Sequence, residues 1–90
     1  MRKKIKILPY LQSATNGRAV VEVEGNTVSR CIDDLIRQFP GLRATLYNSS
    51  GELFDFIDIY VNGKSNYHKG LDVAVQDGDE LLILLIIEGG

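Results

Sequence analysis

One cysteine and one histidine in 90 residues leave most site chemistry without a second member. Cys31 has no partner for an intrachain disulfide or a multi-cysteine zinc site, which fits a reducing compartment and a cytoplasmic protein. With His68 as the lone imidazole, neither a zinc-binding histidine set nor a nucleophilic triad can be completed by the usual residues. His68, beside Lys69-Gly70, reads as an exposed loop residue, and Cys31 as a half-buried structural thiol. Gly17, Gly25, Gly41, Gly51, Gly63 and Gly78 stand singly at turns and form no phosphate-cradling loop. No metal or bound cofactor is expected, and the domain lacks the parts of a self-sufficient enzyme.

Long apolar runs are missing as well. The longest, Leu81 to Ile87, is seven residues, against the roughly 20 that a membrane helix needs. Arg2-Lys3-Lys4 is followed by Ile-Lys-Ile-Leu-Pro, which is not the apolar core of a signal peptide. Nor is there an excess of positive charge: 10 Lys+Arg against 12 Asp+Glu leaves −2, which argues against nucleic acid held by bulk charge. A hydrophobic fraction of 44% with 24% charged residues suits one folded globule. The charge is unevenly placed. Arg2, Lys3, Lys4 and Lys6 crowd the start, while Leu71 to Gly90 holds Asp72, Asp77, Asp79, Glu80 and Glu88 with no Lys or Arg. Two readings are open: solvated ends, or an acidic region that steers toward a basic partner.

The pattern of apolar residues predicts an element order. Lys4 to Leu8 alternates with period 2 and places Ile5 and Ile7 on one strand face. Asn16-Gly17 is a turn signal, since both residues tolerate positive φ, and Ala19 to Glu24 reads as a second strand. Thr27 can cap a helix whose apolar stripe is Val28, Ile32, Leu35, Ile36 and Phe39, with Arg30, Asp33, Asp34 and Arg37 opposite. Pro40-Gly41 stops that helix. Leu42 to Gly51 is irregular or briefly helical; Phe56 to Val61 is a third strand closed by Asn62-Gly63. Asp77-Gly78-Asp79 turns into the last strand, Leu81 to Ile87. A continuous apolar run marks a central strand, so the last strand belongs at the sheet centre beside the first. A hairpin, a crossover helix and a returning central strand describe an α+β, ubiquitin-like β-grasp domain over residues 1–87, a mixed sheet with one main helix. Its expected core is Ile5, Ile7, Val21, Val23, Val28, Ile32, Leu35, Phe39, Ile59, Val61, Ile83 and Leu85.

Residues 88–90, Glu88-Gly89-Gly90, are then an extended tail, open to two readings: a chain end that simply frays, or a reactive one. With glycine near 7% of residues, two closing glycines arise by chance about once in 200 chains. Residues without Cβ let a tail thread a narrow channel and leave a terminal carboxylate open to attack. A carboxylate becomes a useful acyl group only once a better leaving group is attached, after which sulfur or nitrogen can take it. The last strand adds a second clue. Leu81, Ile83, Leu85 and Ile87 share one face, Leu82, Leu84 and Ile86 the other, and one helix covers only one face. Leu82, Leu84 and Ile86, with Leu8 and Tyr10, form a candidate partner-binding patch; packing against a short loop is the alternative.

The sequence resembles the MoaD/ThiS family of sulfur carrier proteins nearly end to end. The resemblance is carried by Ile5-Lys6-Ile7-Leu8-Pro9, Thr15-Asn16-Gly17, Val21-Glu22-Val23-Glu24-Gly25-Asn26-Thr27-Val28, Phe39-Pro40-Gly41-Leu42 and Ile59-Tyr60-Val61-Asn62-Gly63. It is strongest in Gly70-Leu71-Asp72 and in Asp77-Gly78-Asp79-Glu80-Leu81-Leu82-Ile83-Leu84 ahead of Gly89-Gly90. It implies a β-grasp fold and no bound cofactor. A ubiquitin-activating-type enzyme would use ATP to adenylate Gly90, with Gly89 as the threading residue, and a sulfur donor would then produce a thiocarboxylate. The acceptor would be a molybdopterin synthase large subunit or a cysteine synthase-like enzyme; neither membrane nor nucleic acid is implied. Length and the stretch from Leu42 through Phe56 look more like the molybdopterin and cysteine-synthesis branches than the shorter thiamine carriers, with the molybdopterin type slightly preferred. The family commonly has proline just after the last strand and a small residue before Gly-Gly. Here Leu85-Ile86-Ile87-Glu88 stands instead, so strand character is expected to persist further. Two other classes remain open beside the carrier: a non-reactive ubiquitin-like interaction module and a covalent protein modifier.

Overall fold

Alternation decides which side of each strand is buried. In a computed structural model that describes residues 2–66 and 70–86, five strands form one mixed sheet in the order β2-β1-β5-β3-β4. β1 (Arg2–Ile7) pairs antiparallel with β2 (Val20–Glu24) and parallel with β5 (Glu80–Leu85). β3 (Ile57–Val61) pairs antiparallel with both β5 and the two-residue β4 (Lys64–Ser65). The most apolar strand is central, as its lack of polar positions demands. Because β1 and β5 are parallel neighbours, the chain must cross over between them. The helix α1 (Val28–Gln38) lies in that crossover and packs on one sheet face.

The predicted hairpin pairs as expected, but its connection is longer than a tight turn. Pro9–Thr15 forms a 3-10 helix, and only then do Asn16 (φ 55°) and Gly17 (φ 80°) take the left-handed conformation that reverses the chain. Asn62 (φ 52°) and Gly63 (φ 82°) make the two-residue turn between β3 and β4. Thr27 caps α1 as its position suggested: its hydroxyl accepts from Arg30 N–H at 3.1 Å.

The core contains eleven of the twelve expected residues, nine of them fully buried and Phe39 and Val61 partly buried, with one clear exception. Leu85 is 37% exposed. It lies opposite Ile57 at the end of the sheet, on the correct face but at its exposed margin. Cys31 is also corrected: it is fully buried rather than half-buried, and its thiol donates to Gly25 O at 3.5 Å. Further core residues come from irregular segments. Leu11 of the 3-10 helix, Leu42, Leu46 of the short helix α2 (Arg43–Leu46) and Val75 are buried in the same core cluster.

The two charge-rich ends meet. Lys3 faces the helix side, buried, and its Nζ pairs with Asp77 Oδ1 at 3.3 Å. Lys6 pairs with Glu80 at 3.9 Å. Asp79 accepts from Gln76 N–H (2.7 Å) and Asn62 Nδ2 (2.9 Å), bonds that hold its carboxyl below the usual range. The acidic turn is therefore braced within the chain, with basic β1 as one of its partners.

Candidate functional site

The strand that would carry the tail is paired along both of its edges. β5 hydrogen-bonds on both sides, to β1 and β3, and Ile86 N–H extends the pairing by donating to Phe56 O at 2.7 Å. Among the described residues the strand proper ends at Leu85, and Ile86 adds that one further bond; the predicted end at Ile87 is beyond them. Ile87, Glu88 and the proposed reactive residues Gly89 and Gly90 lie outside the described residues, as does His68.

The faces of β5 divide as the alternation predicts. Leu81 and Ile83 are fully buried against α1, while Leu82, Leu84 and Ile86 are half-buried. In register on that second face, Leu82 stands between Lys6 and Tyr60, and Leu84 stands opposite Asp58. Leu8 is half-buried at the start of the 3-10 helix. Tyr10 is 43% exposed, and its hydroxyl reaches Ile83 O at 3.5 Å. Partial burial pushes its phenol pKa up, so the hydroxyl is neutral near pH 7. All five expected patch residues are thus at least partly accessible.

The face is graded along its strands. At the start of β5 it carries charge: Glu22, Lys4 and Glu80 form one row across β2, β1 and β5. Further along β5 it becomes apolar, through Leu82 and Tyr60 to Leu84 and Ile86. Phe56, 44% exposed and stacked on Phe54 with ring centroids 4.9 Å apart, adds a large side chain beside Ile86. The accessible apolar end is therefore the end from which the chain continues toward Gly89-Gly90.

Asp58 interrupts this end with a buried carboxylate. Ser65 Oγ donates to its Oδ2 at 2.6 Å, whereas Oδ1 has no hydrogen-bond partner among the described residues. Neither Phe56 nor Asp58 stands in a motif, and only pairing with β5 and β4 brings them to the patch. A hollow of about 490 Å³ borders this sheet edge, lined by residues that include Phe54, Asp55, Ile59, Asn66 and Leu71. Among the described residues, no group of three His, Cys, Asp or Glu side chains could hold a metal ion, and no helix is long and apolar enough to cross a membrane.

Comparison with known proteins agrees with this geometry. The sulfur carrier protein CysO of Mycobacterium tuberculosis is 33% identical over 93 residues, covering 100% of both chains. Small archaeal modifier protein 1 of Haloferax volcanii is 32% identical over 87 residues, with 94% of this chain and 97% of that protein covered. In a solved Amycolatopsis orientalis BexX/CysO complex, the similar chain has a TM-score of 0.85 at 36% identity, covering 98% of this chain and 99% of that one. A Pyrococcus furiosus structure described as a molybdopterin converting factor subunit 1 shares the fold, with a TM-score of 0.72 over 97% of this chain and 99% of that one, at 18% identity. Residues 5–90 match the ThiS family. The chain belongs to the ThiS family of ubiquitin-like, β-grasp sulfur carrier proteins.

Proposed function

We propose that the protein carries sulfur as a thiocarboxylate on Gly90. The observation that supports this best is the grading of the open sheet face. Its accessible apolar end, with Leu82, Leu84, Ile86, Leu8 and Tyr10, lies where the chain leaves the anchored strand toward Gly89-Gly90. A partner seated on that end would hold the domain while the narrow tail reaches its active site. A ubiquitin-activating-type enzyme would join the Gly90 carboxylate to the α-phosphate of ATP and release pyrophosphate. A sulfide equivalent from a sulfur donor would then displace AMP and leave the thiocarboxylate. Binding energy from the patch would position the carboxylate.

Cys31 does not suit the sulfur-bearing role. It is fully buried, and burial pushes its thiol pKa up, so little thiolate forms and little can reach it. The tail carboxylate is left as the acceptor. Among sulfur-receiving partners, a cysteine synthase-like enzyme is the first to test. The CysO relatives exceed 30% identity, whereas the likeness to the molybdopterin converting factor structure supports the fold alone.

The modifier reading has a specific observation in its favour, the 32% identity to small archaeal modifier protein 1. Intact-mass analysis of the protein isolated from its own cells separates the two. Replacement of one tail oxygen by sulfur supports the carrier, and a lysine-linked adduct supports the modifier. A chain carrying neither, in cells where the activating enzyme is present, contradicts both. Incubating the thiocarboxylate with a candidate cysteine synthase-like or molybdopterin synthase subunit, and following loss of its sulfur, identifies the acceptor.

A further inference from the structure

A sheet edge presents backbone donors and acceptors that another strand can complete. β2 is the outermost strand on its side of the sheet. In its ladder with β1, Val21 pairs with Ile5, and Ile7 N–H donates to Ala19 O at 2.8 Å. That phase turns the backbone groups of Ala19, Val21 and Val23 toward β1 and those of Val20, Glu22 and Glu24 outward. Two of the outward groups already have partners from α1. Glu24 N–H donates to Asp34 Oδ2 at 3.0 Å, and Gln38 Nε2 donates to the Glu22 carbonyl at 2.9 Å. The two helix residues are four apart and share a face, and Gln38 Nε2 also lies 3.2 Å from Asp34 Oδ2. Arg37 Nε holds the other Asp34 oxygen at 2.9 Å, and the Asp34 side chain is only 14% exposed.

We propose that Asp34 and Gln38 form a clasp that closes the free edge of β2 and prevents a second copy of this chain from adding there as a strand. The two groups they occupy, an acceptor and a donor two residues apart, are what an incoming strand would need first. The segment invites such pairing, since Val20–Glu24 alternates and holds no proline. Exposed Glu24 adds negative charge at this edge, which salt screens while the clasp survives. This inference does not depend on the sulfur-carrier reading.

The test is sedimentation from micromolar to millimolar protein in about 1 M salt, where charges are screened beyond about 3 Å. The wild type is expected to remain a monomer. The double variant Asp34→Ala/Gln38→Ala is expected to shift toward twice that mass as concentration rises. Adding Glu22→Pro, which removes an outward N–H without touching the β1 ladder, should restore the monomer. A folded double variant that stays monomeric throughout overturns the proposal, as does a dimer that persists with Glu22→Pro. If the double variant does not fold, hydrogen exchange on the wild type decides. Slow exchange at Glu24 N–H supports the clasp, and exchange at the rate of a free amide refutes it.

Discussion

Gly25 occupies a place where no side chain fits. Its φ is +154°, and a Cβ built there would lie 2.7 Å from Cys31 N and 2.8 Å from Arg30 C, both backbone atoms of the first turn of α1. Neither neighbour can move without disturbing the helix start. Gly25→Ala is expected to lower stability by about 2 kcal/mol or more, from backbone strain and overpacking together. An unchanged urea midpoint would show that the entry to α1 adapts at little cost. The same neighbourhood protects Cys31, whose thiol donates to Gly25 O inside the core. Cys31 should therefore react with a disulfide reagent only as fast as the protein opens, with urea accelerating labelling. Immediate reaction in native buffer would contradict its burial. The glycine was recognisable in the sequence as a turn residue, but the atoms that exclude a side chain belong to Arg30 and Cys31, five and six residues on in α1. Only the fold reveals that contact.

At the scale of the element, β5 allows a paired prediction because its two faces differ. Ile83 is fully buried between β1 and β3, so Ile83→Ala should cost roughly 2–5 kcal/mol of stability, read by denaturant unfolding. Leu84 is only half-buried on the opposite face. Leu84→Asp is expected to keep the melting behaviour near that of the wild type and to weaken binding to the activating or sulfur-accepting enzyme, measured by calorimetry. The carboxylate of Asp58 stands opposite Leu84, so part of any loss of stability would be like-charge repulsion, relieved in Leu84→Asn. Unfolding by both Leu84 substitutions would mean that the two faces of β5 have been assigned the wrong way round. These faces were legible beforehand, as were the α1 stripe and the Thr27 cap, because period and capping chemistry are local. β4 was not legible. Two residues have no period, and Lys64–Ser65 is a strand only because it pairs with Tyr60 and Val61. With β4 unseen, Ser65 could not be matched to Asp58, and Phe56 likewise gave no sign of lying beside Ile86.

Across the whole molecule, long-range carboxylate bonds make stability depend on acid. Burial alone would raise the Asp34 pKa. Hydrogen bonds from Glu24 N–H, Arg37 and Gln38 outweigh burial and bring it below the usual value; Asp79 is lowered by Gln76 N–H and Asn62. A carboxyl whose folded pKa lies below its unfolded pKa stabilises fully above the unfolded value, about 3.9 for Asp. That contribution disappears as pH falls through the folded value. Stability should therefore drop below about pH 4. Asp34→Asn keeps an acceptor for Glu24 but cannot titrate, so it should show a smaller difference between denaturation at pH 7 and at pH 3. An identical difference in both proteins would mean that Asp34 does not contribute to the acid response. The same separation of local from distant causes runs through the protein. The sequence alone determined the order of the main strands and helix, the central position of β5 and the buried stripe of α1, because these follow from periodicity and turn residues. Tertiary structure alone decided that Leu85 falls at the exposed margin, that Leu42 and Leu46 complete the core, and that Asp34 reaches the edge of β2. Each of those depends on which residue distant in the chain lies alongside, and that is set by sheet register and helix placement rather than by any local pattern.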